Sequence, residues 1–201
     1  MAFFSKLMGQ YGIDLGQWDI AYPKNQLDQS PSGVSAYPAH LRALQTSGDI
    51  RSVSRLLIVA DNDSDPAATY RGLRKRLREV RFHLPESPLE IGDGPPKIAA
   101  LMLPWSDQPG CLETLMLEAV FALRPRLEDC VKEHCKCCTP DSLDWPISRL
   151  SKSRLHAIIA GCCKEPAASL AFVWSKDGNP IPIDSAAFDR IAEFLKTFAA
   201  A

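Results

Sequence analysis

The sequence predicts an α/β fold, one domain over residues 1–201 with a mainly parallel central sheet flanked by helices. Two apolar runs of strand length carry that expectation, Arg55–Ala60 and Lys97–Leu103. Near-continuous apolar runs are the pattern of strands buried on both faces of a parallel sheet. Between them, Tyr70, Leu73, Leu77 and Val80 recur at helical spacing, so strand, helix, strand reads as a crossover unit.

The elements follow in order. Phe3, Phe4, Leu7, Met8 and Tyr11 share a helical face stopped by Gly12, which predicts a helix over 2–11. A short strand is expected over 17–21, a polar loop over 23–33, and a second helix over 37–46 closed by Ser47-Gly48. The strand at 55–60 ends in Asp61-Asn-Asp63-Ser-Asp65-Pro66, and Pro66 suits the first turn of the helix that follows. A Gly/Pro-rich turn at 92–96 leads into the second strand, which Pro104-Trp105 ends. Leu112, Leu115, Met116, Ala119 and Val120 place a helix over 111–123, and a second runs from 125 to 138. The part from about 125 to 201 is then mostly helical. It has a loop at 139–148, a helix at 151–163, a short strand at 169–174, a turn at 176–180 and a final helix at 185–199.

Composition excludes several classes. Lys+Arg 23 against Asp+Glu 24 leaves a net charge of −1, so no overall field draws nucleic acid or a membrane, and any such partner must use a local patch. No apolar run approaches the roughly 18 residues a spanning helix needs, and the first ten residues lack the pattern of a secretory signal. A cytoplasmic location without membrane contact is the expectation. Seven cysteines are an odd number, with Cys162-Cys163 and Cys137-Cys138 vicinal, so reduced thiols fit better than disulfides.

Ligands of open α/β sheets bind beyond the carboxyl ends of the strands. Asp61 and Asp63 sit at such an end, and two carboxylates at i and i+2 can turn toward one hard cation, Mg²⁺ or Mn²⁺. Helix capping is the competing use of these aspartates, and Asp65, beside Pro66, is the natural cap. An EF-hand is excluded because Pro66 stands where its glycine belongs and Gly72 where its last glutamate belongs. After the second strand, Pro109-Gly110-Cys-Leu-Glu113 places Glu113 in the first turn of a helix. There it either complements the helix dipole or joins the aspartates, since ends of neighbouring parallel strands lie close.

The blocks Leu57–Pro66, Leu103–Glu113 and Ser151–Ala157, in that order, resemble the Toprim (Rossmann-like) domain of small uncharacterised prokaryotic proteins related to the OLD-family nucleases. The resemblance implies a carboxylate-held divalent metal that activates an oxygen nucleophile for attack on phosphate, in a defence or mobile-element setting. Asp61 and Asp63 would be metal ligands and Glu113 a ligand or supporting catalytic carboxylate. Lys152 would be a catalytic residue beside the scissile phosphate. Toprim domains open with a strand ending in glutamate, but here the first helix starts at residue 2 and no glutamate precedes Glu79. The expectation is a fold without the usual first strand, either a nuclease-like enzyme or a non-catalytic binding or regulatory protein.

Arg71, Arg74, Lys75, Arg78 and Arg81 lie at i, i+3, i+4, i+7 and i+10 of the helix after the aspartates, with Arg76 beside them, a stripe that either tracks a DNA or RNA backbone or is simply solvated. Cys135 and Cys138 have C-x-x-C spacing, with Cys130, His134 and Cys137 nearby. The other cysteine pair is vicinal on an expected helix, so structural zinc at the Cys130–Cys138 cluster is not expected.

Overall fold

The computed structural model describes residues 2–22, 34–138, 144–170, 172–176 and 178–201. They form two compact units, Ile20–Pro109 and Met1–Asp19 with Gly110–Ala201. In chain order the helices are α1 (Ala2–Gln10), α2 (Tyr37–Ser47), α3 (Pro66–Arg78), α4 (Leu112–Leu123), α5 (Arg126–Cys138), α6 (Ile147–Cys162) and α7 (Asp189–Ala200). The strands are β1 (Arg55–Asp61) and β2 (Lys97–Leu103).

In the Ile20–Pro109 unit, β1 and β2 pair in parallel from Arg55 opposite Lys97 to Asp61 opposite Leu103. Because strand side chains alternate, Ile58 and Ala60 of β1 share a face with Ile98, Ala100 and Met102 of β2. Leu41 of α2 and Tyr70, Leu73 and Leu77 of α3 close over that face as one core. Ala99, Leu101 and Leu103, on the other face of β2, are buried as well. The outer edge of β2 is occupied too: Leu89 N–H donates to Ala100 O (2.9 Å) and Gly92 N–H to Ile98 O (2.8 Å). Tyr70 Oη, 3.1 Å from both Pro85 O and Ser87 O, ties that segment back to α3.

The helix α3 starts as its sequence dictates. Asp65 Oδ1 accepts from Ala68 N–H at 2.9 Å and Pro66 takes the first turn, where no N–H is needed. The same helix ends with Phe82 N–H bonded to Leu77 O and Arg81 N–H to Arg78 O, both at 3.0 Å. This C-terminal closure needs a left-handed residue and usually takes glycine; here Arg81 fills it at φ 64°.

In the other unit, α4 packs on α5 and α6, while α1 meets the short 3-10 turns at Leu15–Gln17 and Val173–Ser175. Phe3 stacks edge-on against Phe188 with ring centroids 5.1 Å apart, and Trp18 lies 6.2 Å from Phe198 of α7.

The architecture is mixed α/β around a two-stranded parallel sheet, smaller than the central sheet expected from sequence. Two expected strands are absent among the described residues. Over 17–21, Asp14 accepts from Gly16 N–H (2.9 Å) and Gln17 Nε2 (3.1 Å), so a local turn holds Leu15–Gln17 as a 3-10 helix. Over 169–174, Ser169 O accepts from both Phe172 and Val173 N–H, and a 3-10 turn at Val173–Ser175 replaces a ladder. The sixth helix begins at Ile147, one turn earlier than expected, and Ser185 caps a 3-10 turn before α7. The expected loop at 23–33 and residues 139–143 lie outside the described residues.

Candidate metal centre

The carboxyl end of β1 is organised by Asn62. This side chain is fully buried, and its Nδ2 donates to Trp105 O (2.5 Å) and Gln108 O (2.9 Å). Its backbone N–H donates to Leu103 O at 2.8 Å, and its carbonyl accepts from Thr69 Oγ1 at 2.9 Å. Asn62 thereby pins the turn after β1 to the turn after β2 and to α3. With both amide protons directed at carbonyls, the amide orientation is determined, and Oδ1 is left buried without a hydrogen-bond partner. A buried acceptor lacking a donor is costly. This one belongs to the residue between Asp61 and Asp63 in the chain, and a buried water or a hard cation with its bound water is the partner such an oxygen suits.

Asp61 is the last residue of β1, and Asp63 is exposed with its backbone in the left-handed region at φ 52°. Aspartate tolerates that conformation better than most side chains do. Asp65 is engaged as the helix cap, so the capping demand at this turn is met without Asp61 or Asp63. Tyr37, which sequence reasoning did not single out, donates its hydroxyl to Val59 O. Burial, and secondarily the Asp61 charge, push its phenol up to about 12, so it is a neutral donor at working pH. No sequence signal marks it, since it reads only as the first residue of a helix.

Glu113 and Lys152 belong to the other unit. Glu113 lies in the first turn of α4, where Cys111 and Thr114 form a capping box. Lys152 is exposed on α6. Their chain neighbours meet, Thr114 Oγ1 lying 3.1 Å from Ser151 Oγ and Cys111 Sγ 3.7 Å from Ser148 O, so the start of α4 is fastened to α6. Among the described residues no group of three or more His, Cys, Asp or Glu side chains stands ready to hold a metal ion. What the end of β1 offers is therefore two carboxylates, Asp61 and Asp63, flanking the buried Asn62 in the chain.

The basic stripe is divided. Arg71, Lys75 and Arg78 are exposed on α3, but Arg74 is held by Glu86 through both carboxylate oxygens, Nη1 to Oε2 at 2.7 Å. The Arg74 guanidinium holds the Glu86 carboxyl below the usual carboxylate range. This pairing, twelve residues apart across a loop, leaves no periodic trace. The cysteines are all free thiols; Cys130, Cys137 and Cys138 are exposed, and Cys138 Sγ lies 3.8 Å from His134 Nδ1. No helix among the described residues is long and apolar enough to cross a membrane.

No curated protein and no solved structure matches the chain. A family model does, over residues 1–200, and the chain therefore belongs to DUF3226, a family of proteins of unknown function.

Proposed function

We propose that this chain is a Toprim-like, divalent-metal-dependent phosphodiester-processing protein, with Asp61 and Asp63 holding Mg²⁺ or Mn²⁺. The observation that carries the reading is the buried, partnerless Asn62 Oδ1 between two carboxylates at the end of a parallel strand. Magnesium is commonly held by one or two carboxylates, with waters and substrate phosphates completing its shell, so a pair is enough. The ion would supply Lewis-acid polarisation of a phosphoryl oxygen and a more acidic bound water. The protein's own part is to hold the two carboxylates in register through the Asn62 bonds. Arg71, Lys75 and Arg78 would draw a nucleic-acid backbone electrostatically, with Arg74 engaged by Glu86. Glu113 as supporting carboxylate and Lys152 as phosphate neighbour rest on the sequence resemblance.

Nicking of supercoiled DNA with Mn²⁺ or Mg²⁺ tests the proposal. Asp61→Asn and Asp63→Asn should each lower the rate by more than the roughly 10- to 100-fold that losing a partner of a metal ligand costs. Asp65→Asn should leave it unchanged, because asparagine caps a helix as well as aspartate. Equal loss in all three variants, or no cleavage by the unaltered chain, would overturn the enzymatic reading. Metal binding without cleavage would support the non-catalytic binding role.

A further inference from the structure

A concave surface lies at the opposite, amino end of the sheet from the aspartates. From Arg55 to Asp61 the strand rises about 20 Å at roughly 3.3 Å per residue, so this cleft is remote from the aspartates. It has a volume of about 400 Å³, a size that suits a small organic ligand. Buried Phe82 and Ile98 contribute apolar lining, and Arg51, Arg81, His83 and Asp93 contribute the charged and polar groups. Two guanidiniums against one carboxylate leave the cleft net positive, and neither Arg51 nor Arg81 enters an ion pair among the described residues.

Arg81 supplies an independent sign. It occupies the left-handed position that closes α3, where glycine is the unstrained residue. A long charged side chain held in a sparsely populated backbone conformation, at the lip of a cleft, fits a binding role. Guanidinium forks match the tetrahedral oxygens of phosphate in a way that a lysine point charge does not.

We propose that this cleft binds the phosphate group of a small ligand, with Arg51 and Arg81 as its two clamps and His83 as a further donor. The site is separate from the carboxylate pair and does not depend on the function proposed for it.

Calorimetric titration of the full chain with sodium phosphate, and separately with adenosine monophosphate, tests the proposal. At least one should bind saturably, with Arg51→Ala and Arg81→Gly each weakening it about tenfold or more. Tighter binding of the nucleotide marks a phosphate ester as the ligand; equal affinity marks the phosphate group alone. Arg81→Gly should also raise Tm by about 2–4 °C, since glycine relieves the left-handed strain, so its loss of binding cannot come from unfolding. Asp61→Asn should bind as the unaltered chain does. Absence of binding of both anions at about 10 mM, or unaltered affinity in Arg81→Gly, would overturn the proposal.

Discussion

Replacing Asn62 by alanine tests whether this side chain holds the turn after β1 to the turn after β2. The substitution removes two donated hydrogen bonds, to Trp105 O and Gln108 O. Trp105 O keeps a second donor, Gln108 N–H at 3.0 Å, so its loss is an ordinary net hydrogen bond of about 1 kcal/mol. Gln108 is exposed, so its carbonyl turns to water when the Asn62 donor is lost, at a further net cost of about 1 kcal/mol. Removing the partnerless Oδ1 returns about 1 kcal/mol. The net is about 1 kcal/mol, which for a chain of this size lowers Tm by about 2–4 °C. Differential scanning calorimetry or urea titration reads it directly. A second arm separates the turn's stability from its ligand. Saturating Mn²⁺ should raise the Tm of the unaltered chain and raise that of Asn62→Ala less, because the amide oxygen and the carboxylate alignment are both lost. A Tm within about 1 °C of the unaltered chain would show that the turns after β1 and β2 are not held through Asn62, and the metal reading would lose its support.

Further outcomes follow from other contacts. Tyr11, Tyr37 and Tyr70 each have a phenol pushed up to about 12, chiefly by burial. Because the folded state keeps protons that the unfolded state releases above pH 10, stability should be intact below pH 10 and fall between pH 10 and 12; absorbance near 295 nm should show these phenols titrating late. Glu86→Gln should lower Tm slightly, an effect that disappears at high salt and at acidic pH. The depressed Glu86 carboxyl contributes only above its unfolded pKa and is lost as pH falls through the folded one, and an effect persisting in 1 M salt would contradict this. Leu101→Ala, in a side chain with no exposure, should cost about 3 kcal/mol by denaturant titration, and a cost under about 1 kcal/mol would show that β2 is not core. With a thiol reagent, Cys130, Cys137 and Cys138 should react quickly, while buried Cys111 and Cys163 wait for unfolding; five equally fast thiols would contradict the packing.

The parts legible in the sequence are those in which a single local pattern decides. Lys97–Leu103 forms a strand over its expected bounds because each side chain past Lys97 is buried, so no alternation needs to be recognised. Asp65-Pro66 announces α3 because a cap and a missing N–H are local requirements. What stayed hidden depends on partners distant in the chain or on competition between weak local bonds. Asn62 between two aspartates reads as loop, yet its role is set by carbonyls more than forty residues away. Arg74 reads as one more exposed base until Glu86 is brought to it. The expected strand near Trp18 lost to a turn made by the Asp14 side chain, and periodicity does not weigh such a competition. The candidate site was legible as residue types, Asp61 and Asp63, but not as the buried Asn62 amide that ties the turn between them to the turn after β2.

The segment from Pro85 to Gly92 looks like the connector a protein engineer would shorten first. Yet its amides occupy carbonyls along the outer margin of β2, and the Tyr70 hydroxyl anchors it from the helix side. Two strands alone make a marginal sheet in water, so this stretch serves as the sheet's third row without being a strand. Trimming it would uncover a ready template for pairing with another chain. The cost of such an edit would be paid in solubility before it was seen in any activity.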